Sequence, residues 1–334
     1  MEAPAGGFAA IQRFLVRPIV PEARTRTYEL LLIAWFTALT SKLLVHPQLH
    51  DPLHPPGVDS IVYTHAARAL LEGENPWRVS VTGIFYGAPP PSLIPYLPFV
   101  WLPDAVIAFL GVAVGLLSAV YALRRLHMPL WWLLFPPVAI SIFAGSSALP
   151  MLALLIRGGV LADAAAIVTR VYAALLLAAL RRWQAVVAAG IAIVLSAPFN
   201  GWATYFADRE HVMAVFDAQA GAGVSATAIP MLVPLVAVLL ILVGRRRAAW
   251  LLVPFLWPSA QHHYASMALP VLGSMPLVAA GLAPYSAVLG VAGLAAHVAA
   301  ERLRIPSGWH RRIRGYARIA RIAQSREWPG ASTG

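Results

Sequence analysis

Between Ala105 and Leu123 no charged side chain interrupts the chain, and a stretch of that length and polarity has few stable environments. In water it would have to be buried on every side; in a bilayer about 20 such residues make one crossing. Long apolar runs recur at Leu30–Val45, Met128–Gly145, Ala164–Leu180, Ala185–Ser196, Pro230–Gly244, Ala265–Gly281 and Ser286–Ala300, with Lys42 and Arg170 the charges inside them. Leu93–Leu102 and Leu149–Ile156 are shorter and read as re-entrant or half-helical, and Trp250–Trp257 is short and bounded by prolines. Of the 334 residues, 59% are apolar and 12% charged. A water-facing domain carries about 25% charged residues, so the composition rules out a soluble globule, a disordered chain and a single-pass anchored domain. The expected fold is all-α, a polytopic transmembrane helical bundle of about nine to eleven membrane segments.

The charge is sided. Arginine and lysine outnumber aspartate and glutamate by 25 to 14, and Lys42 is the only lysine. In a polytopic protein such cations collect in cytoplasmic loops and meet anionic headgroups, so membrane lipids, not nucleic acid, are the partner implied. Arg13, Arg17, Arg24 and Arg26 place residues 1–29 in the cytoplasm, and Arg124-Arg125, Arg181-Arg182 and Arg245-Arg246-Arg247 mark further cytoplasmic turns. Residues 46–91 then form a long first external loop, and residues 198–227 a second one carrying Asp208 and Glu210. Residues 30–300 are expected to be the membrane domain and 301–334 a basic tail. Within that tail Ile313, Tyr316, Ile319 and Ile322 recur every three residues, as in a surface-lying amphipathic helix. Counting crossings places the tail outside while its arginines place it inside, so one short segment is miscounted. No cleavable signal peptide is expected, since the first apolar run starts near Leu30 with no small-residue cleavage site after it. The absence of cysteine excludes disulfides and thiol chemistry.

Chemistry concentrates in the first external loop. After the turn Pro55-Pro56-Gly57, residues Asp59–Glu72 have helical composition, and Asp59, Tyr63, Ala67 and Leu70 fall on one face. An acid in the first turn is either a helix cap or a base held at the membrane surface. Gly73 to Pro76 end the helix. Arg170 lies within an apolar run, where it either serves a site, snorkels, or pairs with Asp163. His262 and His263 precede a long span as structural hydrogen-bonders or as partners for an anion, and Lys42 is a snorkelling residue or a phosphate contact. His46, His50, Asp51 and His54 are a metal set on paper, but their interposed prolines fit an irregular loop better; no metal or other cofactor is expected. Asp208, Glu210 and His211 are either acceptor contacts or a solvated loop, and Trp131-Trp132 reads as a membrane belt. No DxD element or glycine-rich nucleotide loop occurs, which argues against a nucleotide-sugar donor. No internal repeat is visible, which weakens a transporter reading.

Taken together, Val58-Asp59, Tyr63, Ala66-Ala67, Leu70-Leu71, Gly73 and Asn75-Pro76-Trp77, followed by Tyr86 and a proline-led span, resemble the first luminal loop of family 87 glycosyltransferases, which are GT-C enzymes. That family includes the polyprenyl-phosphate-mannose-dependent mannosyltransferases of actinobacteria. Arg170 to Trp183, with Pro198, Trp202 and Tyr205, resembles its middle section, and Trp257 to Tyr264 with Ala268-Leu269-Pro270 its His-Tyr motif. One departure is Arg170, where the family more often has lysine. The resemblance spans about residues 28–285. It implies inverting sugar transfer, mannose or arabinofuranose, from polyprenyl phosphate to a glycolipid or glycan on the outer face of a bacterial plasma membrane. Under it Asp59 is the general base, His263, His262, Arg170 and Lys42 meet the donor phosphate, and Tyr63, Asn75, Trp77, Tyr86 and Tyr264 contact substrate. The competing expectation is non-enzymatic: a lipid-linked-sugar translocator or an envelope-assembly scaffold.

Overall fold

The computed structural model describes residues 19–45, 55–199, 201–220, 225–258 and 260–302. The histidine-rich stretch 46–54 and the basic tail beyond 302 lie outside these residues. Helices dominate, and the one sheet among the described residues is a two-stranded hairpin in the first loop, β1 (Ser80–Val81) paired antiparallel with β2 (Ile84–Phe85).

The first helices are α1 (Ile19–Val45), α2 (Val58–Leu71) and α3 (Asp104–Arg125), with a 3-10 segment over Pro90–Phe99 between the last two. That segment holds the Leu93–Leu102 run short of an α-helix, because Pro95 and Pro98 remove donors from its ladder. By length and composition α3 is the one described helix able to cross a membrane; α4 (Pro136–Ala144) and α5 (Ala148–Arg157) pass the same test together, bent by 113° at their junction. The remaining helices are shorter: α6 (Val160–Thr169), α7 (Ala173–Ala179), α8 (Trp183–Ser196), α9 (Trp202–Ala207), α10 (Arg209–Ala220), α11 (Val233–Val243) and α12 (Arg245–Leu256). A buried 3-10 turn over His262–Ala268 leads to α13 (Leu269–Leu272), α14 (Pro276–Leu282) and α15 (Ala287–Arg302).

Three apolar runs expected as single spans are therefore broken. Met128–Gly145 divides at Pro136, and Ala265–Gly281 divides before Pro276; both prolines start new helices, where their missing N–H costs nothing. Ala164–Leu180 divides at Arg170, which has an extended backbone, with no proline or glycine to announce the break. Helices α14 and α15 pack closely through small residues. A Cβ on Gly281 would lie 2.4 Å from the Leu289 carbonyl oxygen, and one on Gly293 2.4 Å from that of Leu277.

The core has two parts. The larger one gathers α3, α5, α6, α7, α12 and the His262–Ala268 turn. Trp132 belongs to it, against Phe36 (ring centroids 5.5 Å apart) and Phe135, so Trp132, expected in a membrane belt, is a core residue instead, with Trp131 half-buried beside it. In the smaller part α2 meets Trp77, Tyr86, Leu93 and, from α10, Val212.

Candidate functional site

Three glycines fix the start of α2. Gly57 precedes it in the left-handed region (φ 74°) and donates its N–H to the Phe143 carbonyl at 2.8 Å. A Cβ there would sit 2.4 Å from the Ala108 backbone, so only glycine allows α3 so close. One turn further along α3, a Cβ on Gly111 would fall 2.1 Å from the Ser60 hydroxyl. That hydroxyl instead donates to the Gly145 carbonyl at 2.7 Å. The first turn of α2 is thereby seated on the α4–α5 junction, Gly145-Ser146-Ser147.

This seating decides the role of Asp59 within the fold. The N-cap is Gly57, without a side-chain cap bond, and Asp59 stands inside the first turn. Capping is thus not what its carboxylate does. Ser146 and Arg170 are near enough to act on its charge. Burial lifts the Asp59 carboxyl above the ordinary aspartate value of 3.8, while the Arg170 cation and the Ser146 hydroxyl pull it back only in part.

Arg170 reaches the same place from the break between α6 and α7. Its Nε donates to Ser147 Oγ at 2.7 Å and its Nη1 to the Tyr264 hydroxyl at 3.3 Å, and its Cζ lies 4.9 Å from the centroid of Tyr63. It neither snorkels nor pairs with Asp163, since Asp163 takes Arg182 at 2.9 Å. Segments far apart in sequence thus converge on one guanidinium: Tyr63 from α2, Ser147 from the helix junction, and Tyr264 from the 3-10 turn, with the Asp59 charge near enough to feel it.

The other expected residues are placed as follows. His263 is buried with its ring 4.5 Å from that of Tyr264, and its Nε2 has no hydrogen-bond partner among the described residues. His262 points elsewhere, with Nε2 3.0 Å from the Ala283 carbonyl, and ties the turn to the end of α14. Lys42 is exposed in the last turn of α1 and forms no hydrogen bond or ion pair with the described residues. Tyr86 packs edge-on to Tyr63 at 5.0 Å, while its hydroxyl is shared with Ser92 at 2.7 Å. Trp77 is wholly buried and donates to the Ala88 carbonyl at 3.0 Å.

Asn75 belongs to a staple between the segment after α2 and the segment at the start of α10. Its side chain accepts from the Trp77 N–H and donates to Asp208 at 2.9 Å; Arg78 grips the same carboxylate with Nε at 2.7 Å and Nη2 at 2.6 Å. The paired guanidinium holds the Asp208 carboxyl below the usual aspartate range. His211 adds a contact to the Trp77 carbonyl at 3.0 Å. Asp208 and His211 therefore hold the loops together.

Ser146, Ser147, Tyr96 and Tyr172 also surround Arg170 or Asp59 and were not legible as site residues. For the serines the signal was present, a Gly-Ser-Ser interruption of an apolar run. The tyrosines carried none. No family model, curated protein or solved structure matches the chain. Among the described residues no group of three or more His, Asp or Glu could hold a metal ion.

Proposed function

We propose that the chain is a polytopic glycosyltransferase of the bacterial plasma membrane. In this reading it moves mannose or arabinofuranose from a polyprenyl-phosphate donor to a glycolipid or glycan acceptor on the extracytoplasmic face, with inversion. The observation that carries the reading is a carboxylate and a guanidinium, on separate segments, close enough to act on one another electrostatically, with the guanidinium bound to Ser147 and Tyr264. Inverting transfer needs such a pair. Asp59 accepts the acceptor hydroxyl's proton as the new C–O bond forms at the anomeric carbon. The bond from that carbon to the phosphate oxygen breaks, its electron pair leaves with the phosphate, and Arg170 and Tyr264 hold the charge. The raised Asp59 carboxyl suits proton acceptance near neutral pH better than an ordinary aspartate would.

Several short helices support membrane immersion as well as α3. Val194 and Leu195 on α8, Ile241 on α11 and Val288 on α15 are exposed alongside Phe109 and Leu117 on α3. Apolar faces on so many helices are costly in water and suited to lipid.

The test is transfer by purified, reconstituted protein supplied with radiolabelled polyprenyl-phosphate mannose or arabinofuranose and an acceptor lipid extract. Wild type should transfer label, and Asp59→Asn should do so about 10²–10⁴-fold more slowly with donor binding intact. Asp59→Asn working at the wild-type rate would refute the mechanism. Donor movement across the bilayer without any transfer would replace the enzyme by a translocator.

A further inference from the structure

The break at Arg170 presents two side chains inward, not one. Arg170 is 8% exposed and Tyr172 3%, while Val171 between them is 40% exposed. That alternation is what an extended step gives, with neighbours on opposite sides and residues two apart on the same side. Tyr172 then packs against Tyr264, ring centroids 5.0 Å apart, and against Trp257 at 5.5 Å. Its hydroxyl is buried without a hydrogen-bond partner among the described residues, and so is Nε2 of His263, whose ring also packs against Tyr264.

Two orphaned polar groups around one tyrosine that itself accepts from Arg170 are costly in a folded protein. A core tyrosine of this size could be phenylalanine at no loss of packing. The arrangement is explained if a ligand completes it. A phosphoryl group has acceptor oxygens, carries negative charge, and fits a guanidinium flanked by hydroxyl donors. The Asp59 carboxyl, on α2, disfavours a second anion only while ionised.

We propose that Tyr172 is a direct ligand of a phosphoryl group held at Arg170, donating its hydroxyl to a phosphate oxygen beside Tyr264, with His263 Nε2 completing the ring of donors. This rests on the donor site above, but it concerns phosphate recognition alone and needs no sugar transfer.

The experiment measures binding of farnesyl phosphate and of inorganic phosphate to the full-length protein in detergent, by calorimetry, alongside thermal unfolding without ligand. For Tyr172→Phe, farnesyl phosphate should bind about 10-fold or more weakly, since a hydrogen bond to a charged group is lost. The ligand-free protein should melt at the same temperature or higher, because a buried unpaired donor has been removed. A structural tyrosine would give the opposite pair: lower melting temperature, unchanged affinity. Equal affinity of wild type and Tyr172→Phe for both probes overturns the proposal, as does a lowered melting temperature at unchanged affinity. Weakened binding of inorganic phosphate as well assigns the site to the phosphoryl group itself; weakening confined to farnesyl phosphate assigns it to a lipid phosphate. Either supports Tyr172 as a ligand. A protein that binds farnesyl phosphate through Tyr172 yet transfers no sugar would sink the enzymatic reading and leave this one standing.

Discussion

Gly111→Ala is the sharpest probe of how the site is held. The added Cβ would fall 2.1 Å from Ser60 Oγ and 2.7 Å from Ser60 Cβ. Rotating the hydroxyl relieves the first contact and leaves the second, so the backbone of α2 must retreat from α3 by roughly 1 Å to reach ordinary carbon–carbon contact. Overpacking of this kind costs about 1–3 kcal/mol. Loss of the 2.7 Å bond from Ser60 to the Gly145 carbonyl adds about 1 kcal/mol. Asp59 is the adjacent residue and moves with that turn, and a 1 Å misplacement of a reacting group costs on the order of 10²-fold in rate. Both effects should be measured together, stability by thermal unfolding in detergent and turnover by initial transfer rate. Gly190→Ala is the control, because nothing lies within 4 Å of a Cβ there. Adding Ser60→Gly to Gly111→Ala removes both clashing atoms and leaves the Gly145 Cα at 3.5 Å as the nearest contact. The double variant should recover most of the rate while staying less stable than wild type, since the Ser60 bond stays lost and the new glycine costs about 1 kcal/mol. Wild-type stability and rate in Gly111→Ala would refute the close-seating argument. So would a double variant no faster than the single one.

The pH dependence of transfer should show an acid limb above 3.8, because the folded-state carboxyl of Asp59 is raised and must be ionised to act. A limb at or below that value would remove Asp59 as the base. Asp208→Ala should loosen the α9–α10 segment from the one after α2, read as faster proteolysis between α10 and α11 at neutral pH. Because the folded Asp208 carboxyl is lowered, its stabilisation is present above its unfolded value of 3.8 and fades as pH falls through the folded value. The difference in melting temperature between Asp208→Ala and wild type should therefore shrink on acidification, and a constant difference would contradict the staple. The chain has no cysteine, so labelling is free of background. Glu74→Cys and Asp217→Cys should react with an impermeant thiol reagent in intact cells, and Arg246→Cys should not; reaction of Arg246→Cys with either loop silent would reverse the topology.

The helix bearing Asp59 was legible because Pro55-Pro56-Gly57 stops one segment and Asp59–Glu72 contains no breaker until Gly73. Its N-cap, Gly57, was not legible, since a left-handed glycine leaves no trace that distinguishes it from any other turn glycine. The Arg170 break was invisible for a different reason. Nothing local ends α6 there; the 2.7 Å bond to Ser147 and the contact with Tyr264 hold an extended residue that propensity alone would keep helical. Trp132 was misread likewise, because a paired tryptophan reads the same at a bilayer surface and in a core until its neighbour Phe36 is known. Where a side chain's role depends on a partner more than a hundred residues away, as for Asn75 with Asp208, composition and spacing carry no record of it.

The most direct measurement is a structure of the protein with a polyprenyl-phosphate sugar bound. The account predicts the phosphate against Arg170 and Tyr264, and the Asp59 carboxylate on the opposite face of the anomeric carbon with room for an acceptor hydroxyl between them. A phosphate bound away from Arg170, or Asp59 on the same face of the sugar as the phosphate, would contradict it.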